Sequence, residues 1–331
     1  MALSGQIEIY KIVMNGHDPD FTFRNVAKAE YYQGNEPNPD DQTLFQCLFQ
    51  AILDKISNQV CKDDNLKKGI SIFKADNEQY NNILMCQSNH FTFDGHVDGG
   101  YFDIKRVMAK LDKSDQTNID RDRIIADRYY LYCYLPFTSN IGILMIERRG
   151  NLTISKVVLE VLKSVFRKGD HCSVGIERFI PQSMMDDCRQ RAVIDELSFT
   201  RQIVTQNLAQ GIEQNQDNYD VSIQIKPKSG DTSFTNLAAI TQTVSSMGFV
   251  VNGVTYTLAD FVNRGGRIIT DDRPNGLTFS VDDNKLKVVK PIPEDIYNDD
   301  GITIRDRAKS LCDALLQTVK SEVYPIDHNE D

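Results

Sequence analysis

Residues 124–150, IIADRYYLYCYLPFTSNIGILMIERRG, form the most apolar and β-prone run of the chain, and their reading decides the fold. Tyr, Leu and Ile residues crowd two stretches, Tyr129 to Phe137 and Ile141 to Ile146. Thr138, Ser139 and Asn140 supply turn chemistry between them, which predicts a central antiparallel hairpin. Upstream, residues 6–14 (QIEIYKIVM) alternate apolar and polar side chains and predict a half-buried strand of the same sheet. Leu44, Leu48, Ile52, Ile56 and Val60, with Phe45 and Phe49 alongside, form the apolar stripe of a helix that Asp40 or Asp41 can cap. Downstream, Ile154, Val157, Val158, Val161, Leu162, Val165 and Phe166 recur at helical spacing over 154–168. A closing helix is predicted from Thr303 to about Val323. The fold class that follows is α+β, a mostly antiparallel sheet with packed helices over residues 1–191 and a smaller C-terminal α+β domain over 192–331.

The 331 residues suit two such domains, and 40% apolar with 25% charged side chains is an ordinary globular balance. No apolar run approaches the ~20 residues of a membrane-spanning helix, and residues 1–12 lack the pattern of a signal peptide, so a cytoplasmic protein is expected. The seven cysteines are scattered among apolar neighbours, as reduced thiols are. The net charge of −10 argues against indiscriminate coating of nucleic acid, yet residues 101–191 hold 16 basic against 12 acidic residues. Only that middle third can offer a basic face.

Two stretches of the chain carry candidate chemistry. His90, Asp94, His96 and Asp98 crowd nine residues and are four metal-ligand types at even positions, one face of a regular strand. Asp94-Gly95 and Gly99-Gly100 read as turns that break such a strand, which makes the stretch a polar hairpin tip. The same region allows a sharper reading. Asp103-Ile104-Lys105 is an acid-x-Lys triplet of the kind a PD-(D/E)xK nuclease presents, with Asp94 or Asp98 as the first acid and Mg²⁺ between them. Arg148, Arg149, Lys156, Lys163, Arg167 and Lys168 follow the hairpin and, with Tyr129, Tyr130, Tyr132 and Tyr134, can make a stacking basic surface for nucleic acid. Phosphate loop, dinucleotide, serine-hydrolase and HExxH signatures are missing.

The run YYLYCYLPFTSNIGILMIERRG followed by the Ile/Val-rich helix resembles bacterial proteins encoded in mobile antiphage-defence gene clusters, over residues 80–200 or so. The resemblance carries no catalytic residue with it and implies only the biological setting. The function expected is a non-enzymatic, cytosolic interaction or sensing subunit of an antiviral assembly that needs no cofactor, contacts a protein partner, can offer its basic face to nucleic acid, and can form homo-oligomers without inserting into a membrane. The alternative is the Mg²⁺-dependent nuclease.

Overall fold

The computed structural model describes residues 5–14, 20–112, 115–150, 152–167, 173–206, 216–228, 232–251, 254–261, 263–270, 273–280 and 288–324. Its first segment runs β1 (Gly5–Met14), α1 (Phe23–Val26), α2 (Asp41–Ser57), β2 (Cys61–Asp63), β3 (Lys68–Ser71), α3 (Tyr80–Ile83), β4 (Leu84–Gln87), β5 (Thr92–Tyr101), β6 (Arg106–Ala109), β7 (Gln116–Ile119), β8 (Ile125–Tyr134), β9 (Ile141–Arg149), α4 (Ser155–Phe166) and β10 (Val174–Phe179). The central hairpin forms where expected, with Leu131 opposite Ile146 and Tyr134 opposite Ile143. Asp40 caps α2, its carboxylate accepting from the Thr43 amide at 2.9 Å. Residues 23–26 form the single turn of helix α1, whose Phe23 and Val26 are buried.

β5 departs most from expectation. Residues read as a hairpin tip form a ten-residue strand in the middle of the sheet, paired along its whole length with β8. Its glycines answer a crowding requirement, not a turn. A Cβ at Gly100 would overlap the Ile125 carbonyl oxygen, and one at Gly95, where φ is +152°, would overlap that of Ile83. The polar stretch from Lys110 to Arg123, which in sequence reads as a loop or a solvated helix end, contributes instead to a two-stranded ribbon, β6 paired with β7.

A second compact unit comprises residues 180–288. It contains α5 (Gln182–Arg191), β11 (Val193–Gln206), β12 (Gln216–Ile225), α6 (Leu237–Ser245), β13 (Gly248–Val251), β14 (Val254–Thr257), β15 (Asn263–Thr270) and β16 (Arg273–Ser280). Its four-stranded antiparallel sheet has the order β12-β11-β15-β16. Leu197, Phe199, Ile268 and Phe279 are in its core. Gly265 and Gly266, which in sequence suggest a tight turn, sit inside β15, which pairs with β16; the sequence also suggests a hairpin over Leu277 to Val289. Residues 281–287, where that hairpin was to turn, lie outside the described residues.

The chain then returns to the first unit with β17 (Lys290–Pro291) and α7 (Arg305–Val323). The expected division at 191/192 therefore gives way to a first unit of residues 1–179 with 289–331 and an inserted second one. The return is stabilised by pairing of β17 with β1 and by the apolar stripe of α7. The first unit's main sheet has the order β10-β1-β9-β8-β5-β3-β2, with β17 also on β1 and β4 also on β5. One face carries Ile12, Leu131, Cys133 and Leu144 against α2 and α4. The other face buries Ile9, Tyr130, Tyr132 and Met145, and α7 packs there against β5 and β8 with Ala308, Cys312 and Leu316 buried. The fold is α+β.

Candidate functional site

Asp94, His96 and Asp98 alternate along β5 and so share one face, the face that α7 and the segment before it cover. Opposite them on β8 stand Tyr132, Tyr130 and Arg128. Asp94 is wholly buried. It accepts from Arg305 at 2.7 Å and from the Tyr130 hydroxyl at 2.9 Å. Burial pushes its carboxyl above the usual range, opposed by Arg305 and the Tyr130 bond. His96 donates from Nε2 to the Thr303 carbonyl at 2.9 Å, an oxygen that can only accept. Burial holds this imidazole down at about 4, against the pull of that bond. Asp98 pairs with Arg128 at 2.9 Å and accepts from the Phe73 amide at 2.9 Å. Glu147 of β9, also fully buried, accepts from the Tyr130 amide at 2.8 Å, Arg149 at 2.8 Å and Tyr297 at 3.2 Å.

The sequence thus brings Asp94, His96 and Asp98 to one face, but each is committed to a protein partner. An ion network of this kind holds the C-terminal segment on the sheet, since buried carboxylates without partners would be costly to keep ionised. Among the described residues no group of three or more His, Cys, Asp or Glu is arranged to hold a metal ion. His90 is exposed in the turn between β4 and β5 and stands apart from the other three.

The acid-x-Lys triplet is not on a strand. Asp103 sits past the end of β5 with φ of 60° and pairs with Lys67 at 3.1 Å. Lys105 is exposed in the link to β6. Asp94 and Asp98 are occupied by Arg305 and Arg128, so the four residues of the nuclease reading do not form one cleft.

The basic surface also breaks up. Arg148 and Arg149 point to opposite faces of β9, where each meets a buried carboxylate. Arg148 donates to Glu8 at 3.1 Å and Arg149 to Glu147 at 2.8 Å, and both side chains are largely buried. Burial works to raise the Glu8 carboxyl, but hydrogen bonds from Ser155 and Tyr10 and the charges of Arg178 and Arg148 outweigh it, leaving Glu8 below its ordinary range. Lys156 lies 3.8 Å from Asp63 and Lys163 2.9 Å from Glu160, while Arg167 is exposed. Lys168 lies outside the described residues. A groove of about 710 Å³ beside α4 sets Lys55, Lys62 and Lys156 against Asp63, Asp64 and Glu160, a balanced rather than a basic lining. Tyr129, Tyr130 and Tyr132 are buried and cannot stack on bases.

The chain matches no protein-family model, no curated protein and no solved structure. No helix among the described residues is long and apolar enough to cross a membrane.

A different feature escaped the sequence reading. The ribbon β6–β7 forms a sheet of its own, with no third strand among the described residues. Val107 is 65% and Met108 61% exposed, Leu111 beyond them is fully exposed, and Ile104 at the base is 42% exposed. The short RVMA and QTNI runs carried the signal, masked by surrounding charges of both signs.

Proposed function

We propose that the chain is a non-catalytic interaction subunit that docks a partner protein through the ribbon β6–β7, in the antiphage-defence setting its hairpin resemblance implies. The observation that carries this reading is the exposure of Val107, Met108 and Leu111 on an isolated two-stranded element. Such a hairpin is marginal in water by itself, and its open edges and apolar side chains favour association. Val107 and Met108 are adjacent in a strand and point to opposite faces, so a flat surface would cover only one of them. The occupant that fits is a cleft of another protein, apolar inside and with an acidic rim that answers Arg106 of β6, Lys110 beyond it being paired with Asp115 at 3.9 Å.

A photo-crosslinking residue placed at Met108 in the full chain, expressed in its native host, should join to one heterologous protein. That protein, purified, should bind the wild-type chain, and Val107→Asp with Met108→Asp should weaken binding at least tenfold (~1.4 kcal/mol) without changing the circular dichroism. Crosslinks only between copies of the chain, or affinity indifferent to the double substitution, would overturn the reading.

A further inference from the structure

Among the described residues of the first unit, one pocket gathers several polar side chains without partners. Between the start of β5, the end of β8 and the outer part of α7 lies a pocket of about 280 Å³. Lys309 and Asp313 on its wall neutralise one another at 2.6 Å, and Tyr132 donates to the same carboxylate at 2.7 Å. The remaining polar lining is unclaimed. Gln87, His90 and Gln317 make no side-chain hydrogen bond or ion pair with the described residues. Lys320 has no carboxylate partner among them, and its ammonium rests 4.1 Å above the Tyr134 ring. Thr92 also lines the pocket, is only 4% exposed, and its hydroxyl is buried with no hydrogen-bond partner. A buried hydroxyl left unmatched is unfavourable unless something else meets it.

This lining is held in place from behind. Phe91, between His90 and Thr92, takes the left-handed conformation with φ of 53°. Its ring stacks on Phe137 at 5.2 Å and meets Phe45 at 5.7 Å. Its carbonyl accepts from the Leu135 amide at 2.9 Å. The aromatic anchor sets His90 and Thr92 on the pocket side of the turn.

We propose that this pocket binds a small phosphorylated metabolite, its phosphate held by Lys320, Thr92 and the carboxamides of Gln87 and Gln317. The charge balance is the first argument. With Lys309 and Asp313 cancelling, Lys320 leaves the pocket positive on a chain whose net charge is −10. The donor count is the second. Ammonium, hydroxyl, two carboxamides and an imidazole can surround the three terminal oxygens of a phosphomonoester, which carries nearly two negative charges at neutral pH. Size is the third, since the volume exceeds what inorganic phosphate fills and sits just below the ~300 Å³ at which small-molecule sites begin. The chain would then sense a metabolite with a pocket distinct from its docking ribbon.

Calorimetric titration of the full chain with adenosine 5′-monophosphate, ribose 5-phosphate and glycerol 3-phosphate tests this, with adenosine as the dephosphorylated control. At least one phosphomonoester should bind with Kd below about 1 mM and adenosine should not. Lys320→Gln, or Gln317→Ala should the former fold poorly, should weaken that binding at least tenfold. Thr92→Val should raise the Tm of the ligand-free protein, because it removes the unmatched hydroxyl, and lower affinity for the phosphomonoester. Val107→Asp should leave binding unchanged, which separates this site from the ribbon. No phosphomonoester binding, or binding equal in Lys320→Gln and Thr92→Val, would overturn the proposal.

Discussion

Burial keeps the His96 imidazole neutral in the folded chain, with its pKa lowered from 6.5 to about 4. The unfolded chain takes up that proton near the ordinary value, so between about pH 6.5 and 4 it binds more protons than the folded one. Stability therefore falls as pH drops through that window, by on the order of 3 kcal/mol for this residue. Glu8, held below its ordinary range, adds a loss that begins as pH falls below the usual carboxylate value. Urea unfolding followed by far-UV circular dichroism at several pH values should show this slope, and His96→Gln should flatten its upper part. An unchanged slope would mean that the imidazole is as accessible in the folded chain as in the unfolded one. Neither the lowered pKa nor the commitment of Asp94 was legible from the local sequence. His, Asp, His and Asp at even spacing spell a ligand set, and what disarms them is Arg305, 211 residues away, together with Thr303.

Elements with one uninterrupted periodicity were readable because a single apolar face dictates them. The alternation of β1, the stripes of α2, α4 and α7, and the two apolar runs of β8 and β9 all belong to this kind. β5 was not readable. Gly95, Gly99 and Gly100 look like punctuation in one dimension, and only the approach of Ile83 to Gly95, Ile154 to Gly99 and Ile125 to Gly100 in three explains why they are glycine. The same strand owes its burial to α7, which Arg305 fixes by its bond to Asp94. Arg305→Ala leaves a fully buried carboxylate without its counter-charge and should destabilise the first unit by about 3 kcal/mol in chemical denaturation. Replacing both partners, Asp94→Leu with Arg305→Met, should recover most of that loss. A single substitution with no measurable effect would show that the Tyr130 hydroxyl suffices for Asp94.

At the scale of the molecule, the two units could not be delimited from composition, because nothing local announces that residues 289–324 rejoin the first. The register along β1 does. Phe179 pairs with Ile9, and Lys290 pairs with Ile7, both on the edge of β1 away from β9. Residues 180–288 therefore leave and re-enter the first unit at points about 7 Å apart along one strand. Joining Phe179 to Val289 through a short Gly/Ser linker should give a first unit that unfolds cooperatively by circular dichroism. An insoluble or non-cooperative product would mean that the inserted unit is needed for its folding.

The insertion also orders events in time. Asp94, Glu147, Tyr130 and Tyr132 are covered by α7 and the segment before it, and all of residues 180–288 must leave the ribosome first. At typical elongation rates the covered face of the sheet waits roughly 5 to 20 s for its lid. A face of bare aliphatics would aggregate in that interval. Carboxylates, arginines and tyrosines that the lid later covers can be hydrated meanwhile, which lowers that tendency around Ile9 and Met145 on the same face.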